Sequence, residues 1–420
     1  VAKPALDVQL HGKHAGVLLQ KDNGNLQFRY DDNYIAESGP PLSIRLPLSR
    51  DAYPHRDCLA FFGNLLPEED VRDQVALIAG ISSGNDYKLL ERIGGDVAGA
   101  VTLIPAVVVG DQEVEDEPEP GQIDILSPQQ LDKLLMGLPE RPLAVDEDGK
   151  IRISLAGAQS KLPVIEVGSS FALPLGSAHP TTHILKPEPS RFPGLVTNEF
   201  FCMRLAGEAG LTVAPVRQAE TESGLPFLIV TRYDRDLKQD PIRRLHQEDL
   251  CQALGRLSIQ KYQNEGGPSV SDAIGLIDNY SAVPARDREQ FWLALVFNFL
   301  IGNCDAHGKN YSLLYDSTAP SLAPLYDLVS TAVYEMLTTR VAMSINGATY
   351  LEDVDAKAWA RLASEVGVAP RFLRERTIPF AQRVATLAVQ LSKGREYAHL
   401  LVEEMVAGII RRSEILHFGD

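Results

Sequence analysis

The sequence predicts an α+β protein: an N-terminal α/β domain (1–110), an acidic linker with a short helix (111–143), a β-containing part (144–240) and a mostly helical lobe (241–420). Three observations lead there. Apolar and polar residues alternate around short Gly and Asn turns at 5–30, and a β-type pattern returns from residue 151. Beyond residue 245 nearly everything has helical spacing. Between the β-rich parts lies "GDQEVEDEPEPGQ" (110–122), too acidic and Pro-rich to pack.

Taken in order, "LDVQLHGKHAGVLLQKDNGNLQFRY" reads as antiparallel hairpins. Residues 57–93 read as helices interrupted at Pro67, and "GAVTLIPAVVV" (99–109) as a strand. "SPQQLDKLLMGLP" (127–139) is a capped short helix. Strands are expected in "IRISLAGAQSKLPVIEV" (151–167), "THILKPE" (182–188) and "LPFLIVTRYDR" (225–235), with a helix at 197–211. Helices follow at 245–257, through "REQFWLALVFNFLIGN" (288–303), at 355–368 and at the C-terminal end.

Apolar residues make up 45% of the 420 and charged residues 23%, as in ordinary globular proteins. A net charge of −16 disfavours a large basic face for nucleic acid, so contact with DNA is better assigned to a partner. Cys58, Cys202, Cys251 and Cys304 are widely spaced, as expected in a reducing cytosol without a disulfide framework or zinc site. Cys304 beside Asp305 is read as packing rather than as a nucleophile. The longest apolar window, 291–304, is too short to span a membrane, and the first residues lack a signal-peptide pattern. A cytoplasmic protein without a membrane partner is expected.

The chemistry concentrates in "NCDAHGKN" (303–310). Asp305 and Asn310 have the D-x-x-x-x-N interval of a phosphoryl-transfer loop, in which the Asp takes the attacking hydroxyl's proton and the Asn holds magnesium. Asp327, seventeen residues further on in "LYDL", supplies a second hard oxygen ligand. His307 suits an orienting or phosphate-contacting role, since Asp305 already fills the place of the base. Lys186 in "HILKPE" is the expected phosphate lysine, and Glu199 is a weaker candidate to pair with it. "SLAGAQSK" (154–161) suits a small-residue phosphate loop, although it is no Walker A motif. "GGDVAGA" (94–100) is read as a tight turn before a strand rather than a nucleotide loop.

Taken together, "SLAGAQSK", "HILKPE", "NEFFCMRLA", "RYDR", "HQEDLCQALG", "NCDAHGKN" and "LYDL" resemble the HipA family in kind and order. "FFGNLLPEE" (61–69) and "GGDVAGA" are similar to its N-terminal motifs, so the resemblance runs from about residue 5 to about 400. It implies a two-lobed protein-kinase-like fold and a serine/threonine kinase toxin of a type II toxin–antitoxin module, using ATP and Mg2+. Asp305 would be catalytic, with Asn310 and Asp327 as metal ligands. ATP contacts would come from Ala156, Gly157, Ala158, Gln159, Ser160, Lys161, Lys186, His307, Gly308, Lys309, Asn310, Tyr326 and Asp327, and from Thr231, Arg232 and Tyr233 as an adenine-reading hinge. Ser154 would be the autophosphorylated serine. The implied partners are a dimeric helix-turn-helix antitoxin, operator DNA mainly through it, and a protein substrate, an aminoacyl-tRNA synthetase, best represented by glutamyl-tRNA synthetase. Phosphorylation of that target would cause growth arrest and persistence. The alternatives are a small-molecule phosphotransferase and a pseudokinase co-repressor scaffold.

Overall fold

A computed structural model of the protein describes residues 5–106, 123–138, 160–175, 179–316 and 319–416. Most of the acidic linker therefore lies outside the described residues. The chain folds into two compact units, residues 1–187, 219–248 and 314–318 forming one, and 188–218, 249–313 and 319–420 the other.

In the first unit, alternation produces an antiparallel sheet in the order Leu26–Tyr30, Lys13–Gln20, Ala5–Leu10, Val101–Pro105. Leu6, Val8 and Leu10 point to one face and are fully buried, as a period of two requires. Helices His55–Phe62, Glu69–Ile78 and Asp86–Ile93 contribute Phe61, Phe62, Val75, Tyr87 and Leu90 to the same core. Phe28 anchors it, with ring centroids 4.8 Å from Tyr30 and 5.5 Å from Phe62. A second sheet runs Ile123–Ile125, Ser170–Pro174, Leu162–Val167, His183–Pro187, Pro226–Thr231, Val216–Glu220. Helix Pro128–Gly137 starts with a capping box between Ser127 and Gln130, and its Leu135 joins Leu162, Phe171, Leu185 and Ile229 in a separate core.

Buried charge links these two sheets. The Asp96 carboxylate accepts hydrogen bonds from Thr181 N (3.1 Å) and Thr181 Oγ (2.6 Å), and pairs with Arg235 (2.9 Å) and Arg244 (3.1 Å). Arg232 grips Asp234 through Nε (2.9 Å) and Nη2 (2.8 Å), while Gly99 N donates to the same carboxylate (2.7 Å). Burial alone would raise the Asp96 carboxyl, but Arg244, Arg235 and Arg232 outweigh it and hold it below the usual carboxylate range. "GGDVAGA" and "RYDR" thus serve as two halves of one ionic joint.

In the second unit, helix Pro284–Ile301 is almost wholly buried from Phe291 onward. Trp292 meets Trp359 of helix Ala356–Glu365 edge-on at 5.5 Å and donates its indole N–H to Thr377 (3.0 Å). Helices Leu195–Glu208, Ile378–Leu391 and Leu400–Ile415 complete the packing. The expectation of nearly continuous helix beyond residue 245 needs correcting at two places. His246–Asp249, Ser312–Tyr315 and Ser321–Leu322 are strands, and the helix expected over 245–257 spans only Leu250–Leu254. Arg340–Ile345 and Ala348–Tyr350 form an antiparallel hairpin. Asn346 (φ +46°) and Gly347 (φ +83°) turn the chain there, the backbone that an Asn-Gly pair favours.

His246 gives this fold a pH dependence. Buried completely, with Nε2 2.8 Å from Leu42 O, its imidazole is pushed down to about 4 by burial. The unfolded chain therefore takes up a proton below pH ~6.5 that the folded chain refuses until pH ~4. Stability is expected to fall by about 3 kcal/mol across that window. Denaturant unfolding of the parent should show the loss, and His246→Gln should flatten the slope between pH 6.5 and 4.

Candidate active site

The loop after helix Pro284–Ile301 is built from the backbone outward. Gly302, at φ +71°, ends the helix, and a Cβ there would lie 2.8 Å from the Cβ of Ala332. Asn303 then spans the gap: its Nδ2 donates to Asn298 Oδ1 (2.9 Å) and its Oδ1 accepts from Asp305 N (3.1 Å). Asn298 Nδ2 in turn donates to Tyr311 Oη (2.9 Å). Cys304 N donates to Thr331 Oγ (2.8 Å). Burial pushes the Cys304 thiol up, which leaves it unsuited to nucleophilic work.

Asp305 is held on this base with its carboxylate exposed, and Tyr262 Oη donates to its Oδ1 at 2.6 Å. His307 caps the next turn, its Nδ1 accepting from Lys309 N (3.3 Å) while its own N donates to Asn310 Oδ1 (3.2 Å). Gly308 is required sterically, because a Cβ would fall 2.7 Å from Pro268. The Lys309 ammonium is paired with Asp249 at 2.8 Å and buried, and Tyr326 Oη donates to Lys309 O (2.6 Å). These contacts suit loop anchors better than open ATP ligands. Asn310 Nδ2 reaches Asp327 Oδ2 at 3.4 Å. Asp327 adopts φ +53°, a backbone that non-glycine residues rarely tolerate and that marks functional sites. The Asp327 carboxylate and the Asn310 side-chain oxygen, which also accepts from His307 N, are hard oxygen donors of the kind magnesium takes while leaving places for water and phosphate.

The remaining candidates lie in the first unit, apart from Glu199. Lys186 is 5% exposed and pairs across the sheet with Leu228. Lys161 immediately precedes the Leu162–Leu185 pair, so Lys161 and Lys186 lie at the same end of neighbouring strands. Arg232 N is already donated to Thr182 O (2.9 Å), and its side chain belongs to the ionic joint. The Tyr233 hydroxyl donates to Gln247. Ser160 is half-buried, whereas Ser154, Ala156, Gly157, Ala158 and Gln159 lie outside the described residues. Glu199 is buried in helix Leu195–Glu208.

Comparison with known proteins is consistent along the chain. Residues 153–390 match the HipA-like C-terminal domain and residues 6–104 the HipA N-terminal domain. The chain belongs to the HipA family. It is 44% identical to Y4mE of Sinorhizobium fredii, a kinase by name only, over 99% of this chain and 96% of that one. The serine/threonine-protein kinase toxin HipA of Shewanella oneidensis is 31% identical over 83% of this chain and 80% of its own. A solved complex of Shewanella oneidensis HipA with HipB and operator DNA superimposes with a TM-score of 0.83 at 27% identity, covering 97% and 96% of the two chains. The α+β, kinase-like fold of HipA is therefore the fold of this chain. No helix among the described residues is long and apolar enough to cross a membrane.

The Lys309–Asp249 pair carries a direct expectation. Asp249→Ala strands a buried ammonium and is expected to cost about 3 kcal/mol in denaturant unfolding, whereas Asp249→Leu with Lys309→Met should recover most of it.

Proposed function

We propose that the chain is a Mg-ATP-dependent serine/threonine protein kinase acting as the toxin of a toxin–antitoxin pair. The carrying observation is the built loop that holds Asp305 by its backbone N–H and brings Asn310 within 3.4 Å of Asp327. A serine hydroxyl of the acceptor gives its proton to Asp305 as its oxygen bonds to the γ-phosphorus. The bond from that phosphorus to the β–γ bridging oxygen breaks, and ADP leaves. Asp327 and Asn310 would hold magnesium, which neutralises phosphate charge when bound. Lys186, aided by Lys161, would hold phosphate oxygens, and the small-residue loop Ala156–Lys161 would close on them. Most of the catalysis is positioning by a loop whose backbone is already satisfied.

The name of the Shewanella oneidensis relative supports a protein acceptor, and its complex with HipB and operator DNA supports an antitoxin that carries the DNA contact. The acidic balance of −16 agrees with leaving DNA to that partner. Within the family's chemistry the target would be a translation protein such as glutamyl-tRNA synthetase. Ser154 would take a phosphate in cis, adding nearly two negative charges to the loop meant for ATP phosphates and switching the enzyme off.

Incubation with Mg-ATP followed by intact mass and phosphosite mapping tests this. One phosphate on Ser154 is expected in the parent, and Asp305→Asn should slow its appearance by ~10²–10⁴-fold. No phosphate in the parent despite ATP binding would favour a scaffold or a small-molecule acceptor instead.

A further inference from the structure

We infer that Tyr262 is a positioning residue for the catalytic carboxylate, an inference that rests on the kinase assignment above. Its hydroxyl donates to Asp305 Oδ1 at 2.6 Å, a charge-assisted contact to an exposed carboxylate that carries little other restraint on its side chain. With Oδ1 engaged, the carboxylate loses its freedom to spin about its last bond. Oδ2 is then the oxygen turned toward an incoming hydroxyl.

A tyrosine hydroxyl on a base has a second meaning, because it occupies the kind of place an acceptor hydroxyl would take. The surroundings favour positioning over blockade. A blocking residue must leave, and Tyr262 sits on a segment tied down at several points. Lys261 O accepts from Gly308 N in the catalytic loop itself (3.1 Å), so the two loops share a main-chain bond. Gly267 N returns to Tyr262 O (2.9 Å), and a Cβ on Gly267 would fall 2.2 Å from Gln260 O. The side-chain oxygen of Gln263 accepts from Ser344 N (2.7 Å) and Oγ (3.1 Å) on the hairpin. The ring is wedged edge-on against His307 at 5.2 Å, with the Lys261 ammonium 5.5 Å from its centroid. Each contact fixes the hydroxyl relative to Asp305, and several belong to the same short loop. The segment "QKYQNEGGP" (260–268) is thus a brace for the catalytic loop, reached from more than forty residues upstream.

Tyr262→Phe removes the hydroxyl and keeps the ring packing. The assay is phosphate incorporation from γ-labelled ATP with magnesium into the chain itself, as a function of ATP concentration, alongside thermal melting. The inference expects kcat to fall roughly tenfold, KM for ATP to stay within about twofold, and the melting temperature to hold. An unchanged kcat would show that the hydroxyl does nothing, and a raised kcat that it blocks. A rise in KM together with a lower melting temperature would show a merely structural role. Each of those three overturns the inference while leaving the kinase assignment standing. A parent that transfers no phosphate removes the kinase assignment itself, and the inference with it.

Discussion

The amide relay beneath the loop at 303–310 fixes where Asp305 leaves its helix. Asn298, less than one turn before the last residue of a helix that is otherwise apolar from Phe291 onward, donates a hydrogen bond to Tyr311 on one side and accepts one from Asn303 on the other. Asn303 then fixes Asp305 by its backbone N–H. Each such bond contributes only about 1 kcal/mol net, but leaving one buried partner unmatched costs ~1–3 kcal/mol. The relay is consequently an all-or-none device. It lets an exposed carboxylate follow the buried end of a helix without the loop choosing among conformations. Gly302 and Gly308 do the steric part of the same task, one by leaving the helix and the other by letting the chain pass Pro268.

The first unit solves a similar problem with charge. Asp96, Asp234, Arg232 and Arg235 are buried, and isolated ions at that depth would be far more costly than the pairing can repay. Because each carboxylate meets more than one guanidinium, the network tolerates burial and gives the joint a single geometry. A hydrophobic contact would hold the same surfaces with less directional demand. The benefit falls on the strand ending at Thr231, whose following residues are locked in place by the arginines.

Much of this was legible in the sequence, and what escaped did so for physical reasons. Asp305, Asn310 and Asp327 lie close in the chain, and their spacing follows from the span of one loop and one turn. Strand alternation and helical periodicity marked most elements because each buries one face. Tyr262 and Asp249 escaped because their partners lie 43 and 60 residues away, and no local period encodes such contacts. Asn298 left a visible trace, a polar side chain in an apolar run, without saying what it bonds to. The hairpin at 340–350 was overlooked even though Asn346–Gly347 is a strong turn pair, since helical periodicity on both sides dominated the pattern. Lys309 looked like a phosphate ligand by its place in the loop, whereas its ammonium belongs to Asp249.

The polar cluster at 305–327 is proposed as a metal and phosphate site rather than a structural network. Its most direct test is ATP affinity measured with and without magnesium, for the parent and for Asp327→Ala. Magnesium should tighten ATP binding by about tenfold or more in the parent and lose that effect in the variant. An equal magnesium effect in both proteins, or no ATP binding by the parent, would contradict it.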